Sequence, residues 1–181
     1  MERKKRTQIS QLNKIEKHIN VEWSITLNSN SEEIKWIPIF CLDFDHDYKR
    51  TFGLTSDGKW TNLSPRLHRQ TITVVHDQKE YLKIITALQK ERPEIEEKLL
   101  EGLKKNTNGS YNVHIFPFLD LIKYALKGDS NYWAKRAVSW LRQEEFDHEL
   151  SLIAKKIITE KKLDQSARHQ LFRLMKRFEN S

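Results

Sequence analysis

The chain has 181 residues, of which 38% are hydrophobic, 10% aromatic and 31% charged, and its net charge is +7. That length favours one domain with a full hydrophobic core, and the aromatic content is too high for a disordered chain. The single cysteine, Cys41, excludes an intrachain disulfide framework and a cysteine-rich zinc site and points to a reducing cytoplasm; no apolar run approaches a membrane span, and none follows the basic start to form a secretory signal.

Residues 1–6, with Arg3, Lys4, Lys5 and Arg6, read as a disordered basic start. Ile9, Leu12, Ile15 and Ile19 recur at three- and four-residue spacing and predict a short helix over 7–19. The period then changes to two. Val21, Trp23, Ile25 and Leu27 alternate with polar residues as in a half-buried strand, and Asn28-Ser29-Asn30-Ser31 is a turn cluster. A second strand runs over 34–44. Pro38 lacks an N–H, which places that strand at an edge, bulges it, or starts it after the proline. Asp57-Gly58 between 51–55 and 59–63 is a hairpin signal, and 70–76 supplies a further strand.

From Asp77 the period is helical. Asp77 and Glu80 have capping-box spacing ahead of Tyr81, Ile84, Ile85 and Leu88. Pro93 opens a helix over 94–105. Four more helices are predicted: Pro117–Lys127 stopped by Gly128, Asn131–Gln143 capped by Asp129 or Ser130, Asp147–Lys161, and one from Asp164 to Phe178. Strands first and helices after argue for an α+β fold. The expectation is one domain over 1–181, with an N-terminal helix, a small antiparallel sheet of four or five strands in a β-rich part 21–76, and about six helices packed as antiparallel pairs in a helical part 77–178.

The excess charge is spread along the chain, but residues 155–177 hold eight lysines and arginines against Glu160 and Asp164. Lys155, Lys162, His169, Arg173, Lys176 and Arg177 are therefore the candidate basic binding surface, either for a polyanion or as a merely solvated helical face. In the last helix His169, Arg173 and Lys176 or Arg177 share one face, with Leu171, Leu174, Met175 and Phe178 on another. Cations interleave with aromatic residues again in Tyr48-Lys49-Arg50-Thr51-Phe52 and Lys59-Trp60. This is the equipment of single-strand binders, but Phe52, Trp60, Trp36 and Trp23 are better read as the core between sheet and helices.

Asp43, Asp45 and Asp47 alternate toward one side of a strand and could hold a magnesium ion. An apolar strand ending in Asp43-x-Asp45 resembles the nucleophile motif of haloacid-dehalogenase phosphatases, but Asp47 stands where that family has Thr or Val, and the surrounding order is not βαβ. Adding Asp57 and Lys59 gives the skeleton of a metal-dependent nuclease, set against the stronger turn signal of Asp57-Gly58. Glu145-x-x-His148 is half of a bundle metal motif at a predicted helix start. No nucleophile, base and stabiliser occur together at consistent spacing. The expectation is thus a non-enzymatic cytoplasmic binding protein, a regulator or inhibitor docking on a protein partner, without a cofactor. A nucleic-acid binder using the C-terminal helices is the first alternative, and a metal-dependent nuclease or phosphatase at Asp43, Asp45 and Asp47 is the second.

Overall fold

A computed structural model describes residues 21–44, 48–66, 69–108 and 113–180. The predicted helix over 7–19 and the basic start lie outside the described residues. The described chain is α+β: five strands come first, and five α-helices with short 3₁₀ helices between them follow. It packs as two compact units. One gathers the described residues up to Ala87 with Pro93–Phe116; the other takes Leu88–Arg92 and the chain from Pro117 onward. Part of the stretch read as helical packs on the sheet within the first unit.

The sheet is a meander. β1 (Ser24–Leu27), β2 (Glu33–Phe44), β3 (Tyr48–Thr55), β4 (Trp60–Arg66) and β5 (Arg69–Val74) lie in sequence order, each antiparallel to the next. A parallel bridge from Asn28 to Ile72 joins the end of β1 to β5. The Asn28 side chain also builds the predicted turn, accepting from the N–H groups of Asn30 (2.9 Å) and Glu32 (3.0 Å) while Ser31 takes a left-handed φ of 64°. The alternation in β1 is real, but its faces are reversed from the simplest reading. Ile25 is 64% exposed and Leu27 is also exposed, whereas Thr26 turns inward and accepts the Trp36 indole N–H at 3.0 Å. A period of two fixes the alternation and not which face is buried.

Pro38 marks a bulge, with register slipping between Pro38 and Phe40. β1 pairs no further along β2 than Trp36, so the missing N–H of Pro38 leaves no gap in that ladder. The bulge is also where α1 (Arg92–Asn106) docks. Asn106 donates to the Pro38 carbonyl at 3.0 Å, and Gly102 lies so close that a Cβ there would sit 1.7 Å from the Ile39 carbonyl oxygen. The aromatic residues of the sheet are core: Phe52, Trp36 and Trp60 are buried. Phe40 stacks on Phe52 with centroids 4.9 Å apart, Trp60 meets Phe116 edge-on at 4.9 Å, and the Trp60 indole donates to the Ile115 carbonyl. Trp23 is half-buried beneath Lys35.

After β5 the chain forms two 3₁₀ helices, Gln78–Lys83 and Ile85–Gln89, rather than one α-helix. The caps predicted at Asp77 are present: Asp77 accepts from the Lys79 N–H, and Glu80 reaches back to the His76 N–H, each at 2.7 Å. Asn62 of β4 takes the carbonyl of Lys83 (2.6 Å), and the Lys83 ammonium takes that of Val74 (2.9 Å). These side-chain bonds tie the short helix to the sheet.

In the second unit α2 (Phe118–Lys127), α3 (Asn131–Trp140), α4 (His148–Thr159) and α5 (Gln165–Glu179) follow the predicted boundaries within a few residues. Ser130, Asp147 and Asp164 cap α3, α4 and α5. α2 ends at Gly128, but with φ −72° and ψ 171°, not through a left-handed cap. α3 stops at Trp140, and Gln143–Glu145 continues as a 3₁₀ turn. The reason is a buried ion pair. Arg92, 4% exposed, reaches Glu145 with two bonds of 2.5 and 2.6 Å, donates to the Trp140 carbonyl at 2.8 Å and lies over the Phe118 ring. Glu145 is thereby engaged as a structural anion, and His148 simply begins α4. Trp140 is buried against Phe118 and bonds the Lys90 carbonyl.

Lys123 is a second buried cation, 6% exposed, held by Asp147 (2.6 Å) and Glu149 (2.8 Å); Lys127 also reaches Glu149 at 2.7 Å. Burial is the largest single influence on Lys123 and disfavours its charge, yet the bonds to Asp147 and Glu149 outweigh it and hold the ammonium above its ordinary range. Hydrogen bonds from Lys123, then Lys127, push the Glu149 carboxyl down from 4.5 to about 2. A carboxylate depressed in the folded state adds stability above its unfolded pKa and loses it as pH falls toward the folded value. The Glu149 contribution is therefore complete above about pH 4.5 and gone near 2. In acid titration followed by near-UV circular dichroism, Glu149→Gln is expected to be less stable at neutral pH and to show a shallower loss of stability across that window. An unchanged acid slope would contradict the assignment. No helix among the described residues is long and apolar enough to cross a membrane.

Candidate functional site

α5 is fixed from one side. Its cap Asp164 accepts from the Ala167 N–H (2.9 Å) and pairs with Lys135 of α3 (2.7 Å), and these bonds hold its carboxyl below the ordinary range. Ala167, Leu171 and Met175, each four residues apart, form the buried stripe. Gln170 bonds the Val138 carbonyl, Gln143 bonds the Leu174 carbonyl, and Phe146 meets Phe178 at 5.9 Å. Leu171, Leu174, Met175 and Phe178 thus turn inward as the spacing predicts.

The opposite face carries Ser166, His169, Phe172 and Arg173 around an open depression of about 390 Å³. Phe172 is 43% exposed, and the Lys176 ammonium lies 5.8 Å from its ring centroid. Among the described residues His169, Arg173 and Arg177 make no ion pair. The lysines differ. Lys155 on α4 and Lys176 on α5 both bond Glu179, at 2.7 and 2.9 Å, and first Lys155, then Lys176, holds that carboxyl down at about 2. Lys162, in the turn before α5, pairs with Glu160 at 3.3 Å, and Lys156 approaches the same carboxylate at 3.9 Å. Lys155, Lys176 and Glu179 join α4 to α5 on this side. Leu152, 54% exposed, stands one helical turn before Lys155.

Of the six basic residues picked from the sequence, His169, Arg173, Lys176 and Arg177 follow one another along α5. Lys155 joins them through Glu179, and Lys162 is taken up locally by Glu160. Sequence reasoning missed Phe172. Its signal is its offset from the apolar stripe, three residues after His169 and four before Lys176.

The aspartate cluster is placed only in part. Asp45 and Asp47 lie outside the described residues. Asp43 is exposed and pairs with Lys49 across the β2–β3 ladder at 3.0 Å. Asp57 lies in the turn between β3 and β4, past the other end of β3, which runs six residues from Lys49 to Thr55, or roughly 20 Å of strand. There it closes a turn: Gly58 has φ 77°, the Thr55 hydroxyl bonds Asp57, and Lys59 pairs with Asp57 at 2.6 Å. Asp43 and Asp57 are thus held apart. Among the described residues no three His, Cys, Asp or Glu side chains converge as a metal site. Comparison of the chain with protein-family models, with curated proteins and with solved structures gives no match.

Proposed function

We propose that the chain is a non-enzymatic binding protein that docks on another macromolecule through the outer face of α5 and the adjoining side of α4. The observation that supports this reading is Phe172, exposed between His169, Arg173 and Lys176 on a helix whose other face is already packed. Aromatic and arginine side chains are the types enriched among residues that carry binding energy, and Phe172 and Arg173 place one of each beside the depression. The lone cysteine fits a cytoplasmic setting.

The test is photo-cross-linking from the full-length chain in its own cell extract. A cross-linking side chain replaces Phe172 in one variant and Leu100, similarly exposed on the other unit, in a second. A discrete adduct formed from 172 and not from 100 is the expected result. The same adducts from both positions, or none from 172, would overturn the reading.

A further inference from the structure

We infer that the occupant of this face is a protein segment in which acidic side chains flank an apolar one, the apolar side chain seated beside Phe172 and the carboxylates meeting Arg173, Arg177 and His169. This rests on the docking reading above and adds the chemistry of the partner.

The helices that carry the face, with the turn between them, hold eight lysines and arginines against four carboxylates from His148 to Glu179, so the field is positive and favours an anionic partner. The distribution of that charge selects among anions. A nucleic-acid strand presents one phosphate per nucleotide and is followed by a continuous track of cations. Here the track is interrupted. Glu179 stands inside the face between Lys155 and Lys176, and Glu160 takes up Lys156 and Lys162. A carboxylate in that position breaks the run of cations that a phosphate chain would follow, whereas a protein partner can place a neutral or basic residue against it. The cations without an ion pair among the described residues include two arginines, whose planar fork matches carboxylates in two-bond geometry.

The apolar groups point the same way. Phe172 could stack on a base, but the aliphatic Leu152, 54% exposed one helical turn before Lys155, offers nothing to a sugar–phosphate backbone. Both are ordinary anchors at the centre of a protein interface with a polar rim. The depression of about 390 Å³ beside Phe172 has room for one large apolar side chain.

The test is fluorescence anisotropy with the full-length chain and three labelled probes: a peptide of glutamates interrupted by leucine and phenylalanine, an all-glutamate peptide of the same length, and an oligothymidylate. Titrations are run at about 50 and 200 mM salt. The mixed peptide is expected to bind at least about tenfold more tightly than the all-glutamate peptide, and Phe172→Ala to remove most of that difference. Arg173→Gln with Arg177→Gln should weaken both peptides alike. All these side chains are exposed, so unchanged melting curves verify the fold of each variant. Failure of the mixed peptide to bind overturns the inference, as does equal affinity for the two peptides or tighter, steeply salt-dependent binding of the oligothymidylate. The cross-linking result is independent of these probes. An adduct at 172 together with failure of the mixed peptide would refute the partner's chemistry and leave the docking face standing.

Discussion

Glu145→Ala is expected to destabilise the helical unit by about 3–5 kcal/mol, the range for stranding one member of a buried ion pair. Arg92 is nearly inaccessible, and its guanidinium is satisfied by both Glu145 oxygens and the Trp140 carbonyl. Removing the carboxylate leaves a buried cation beside Phe118 and Trp140 without the two-bond anion that balances its charge. Glu145→Gln keeps the shape and some bonds and should cost less. Arg92→Met combined with Glu145→Leu should recover much of the loss, because an apolar pair in that space avoids the desolvation that the ion pair must first overcome. Urea unfolding monitored by tryptophan fluorescence measures all of these. A double variant no more stable than Glu145→Ala would show that the pair is required for the shape of the site and not only for its charge balance.

Gly102→Ala should cost the sheet-bearing unit about 3 kcal/mol, a large effect for one methyl group. The added Cβ would lie 1.7 Å from the Ile39 carbonyl oxygen and 2.7 Å from its carbon, and both are backbone atoms that no rotamer change can move. Relief requires α1 to lift from the β2 bulge, which also stretches the bond from Asn106 to Pro38. Gly128→Ala provides the contrast. Its nearest neighbours would be 3.6 Å away and its φ suits any residue, so that change is expected to be neutral or to stabilise by about 0.5 kcal/mol through the unfolded chain. Equal effects of the two substitutions in thermal melts would exclude close approach as the reason for Gly102.

The two buried cations show where sequence reasoning stops. Caps at Ser130, Asp147 and Asp164 are legible because the donor and acceptor lie within four residues. Arg92 and Glu145 are 53 residues apart, and Lys123 and Asp147 are 24 apart. Nothing local in Phe118–Lys127 distinguishes Lys123 from a solvated lysine. The turn at Asp57-Gly58 is legible because it has a backbone requirement of its own; Pro38 announces an irregularity in the same way, but the choice of a bulge over an edge or a late start does not follow from the proline alone. The inward turn of Thr26 is not, since it depends on the Trp36 indole across the ladder. At the candidate site the cations of α5 can be read from the helical period. The neutralisation of Lys155 by Glu179, which reshapes the surface, depends on two helices meeting.

The bridge between Asn28 and Ile72 bears on how the sheet assembles. Every other strand pairing joins neighbours in sequence, so each hairpin can form early, on the scale of about 1–10 μs, with little chain to close. The seam is different, because its two residues are separated by the whole of β2, β3 and β4. Five alternating strands that curl until the first meets the last must meet in parallel, and that contact forms only after the intervening loop has lost its freedom. β1 pairs only four residues on β2 and shows Ile25 and Leu27 to solvent. With so short a ladder β1 is expected to fray first, and its amide hydrogens to exchange fastest in the sheet.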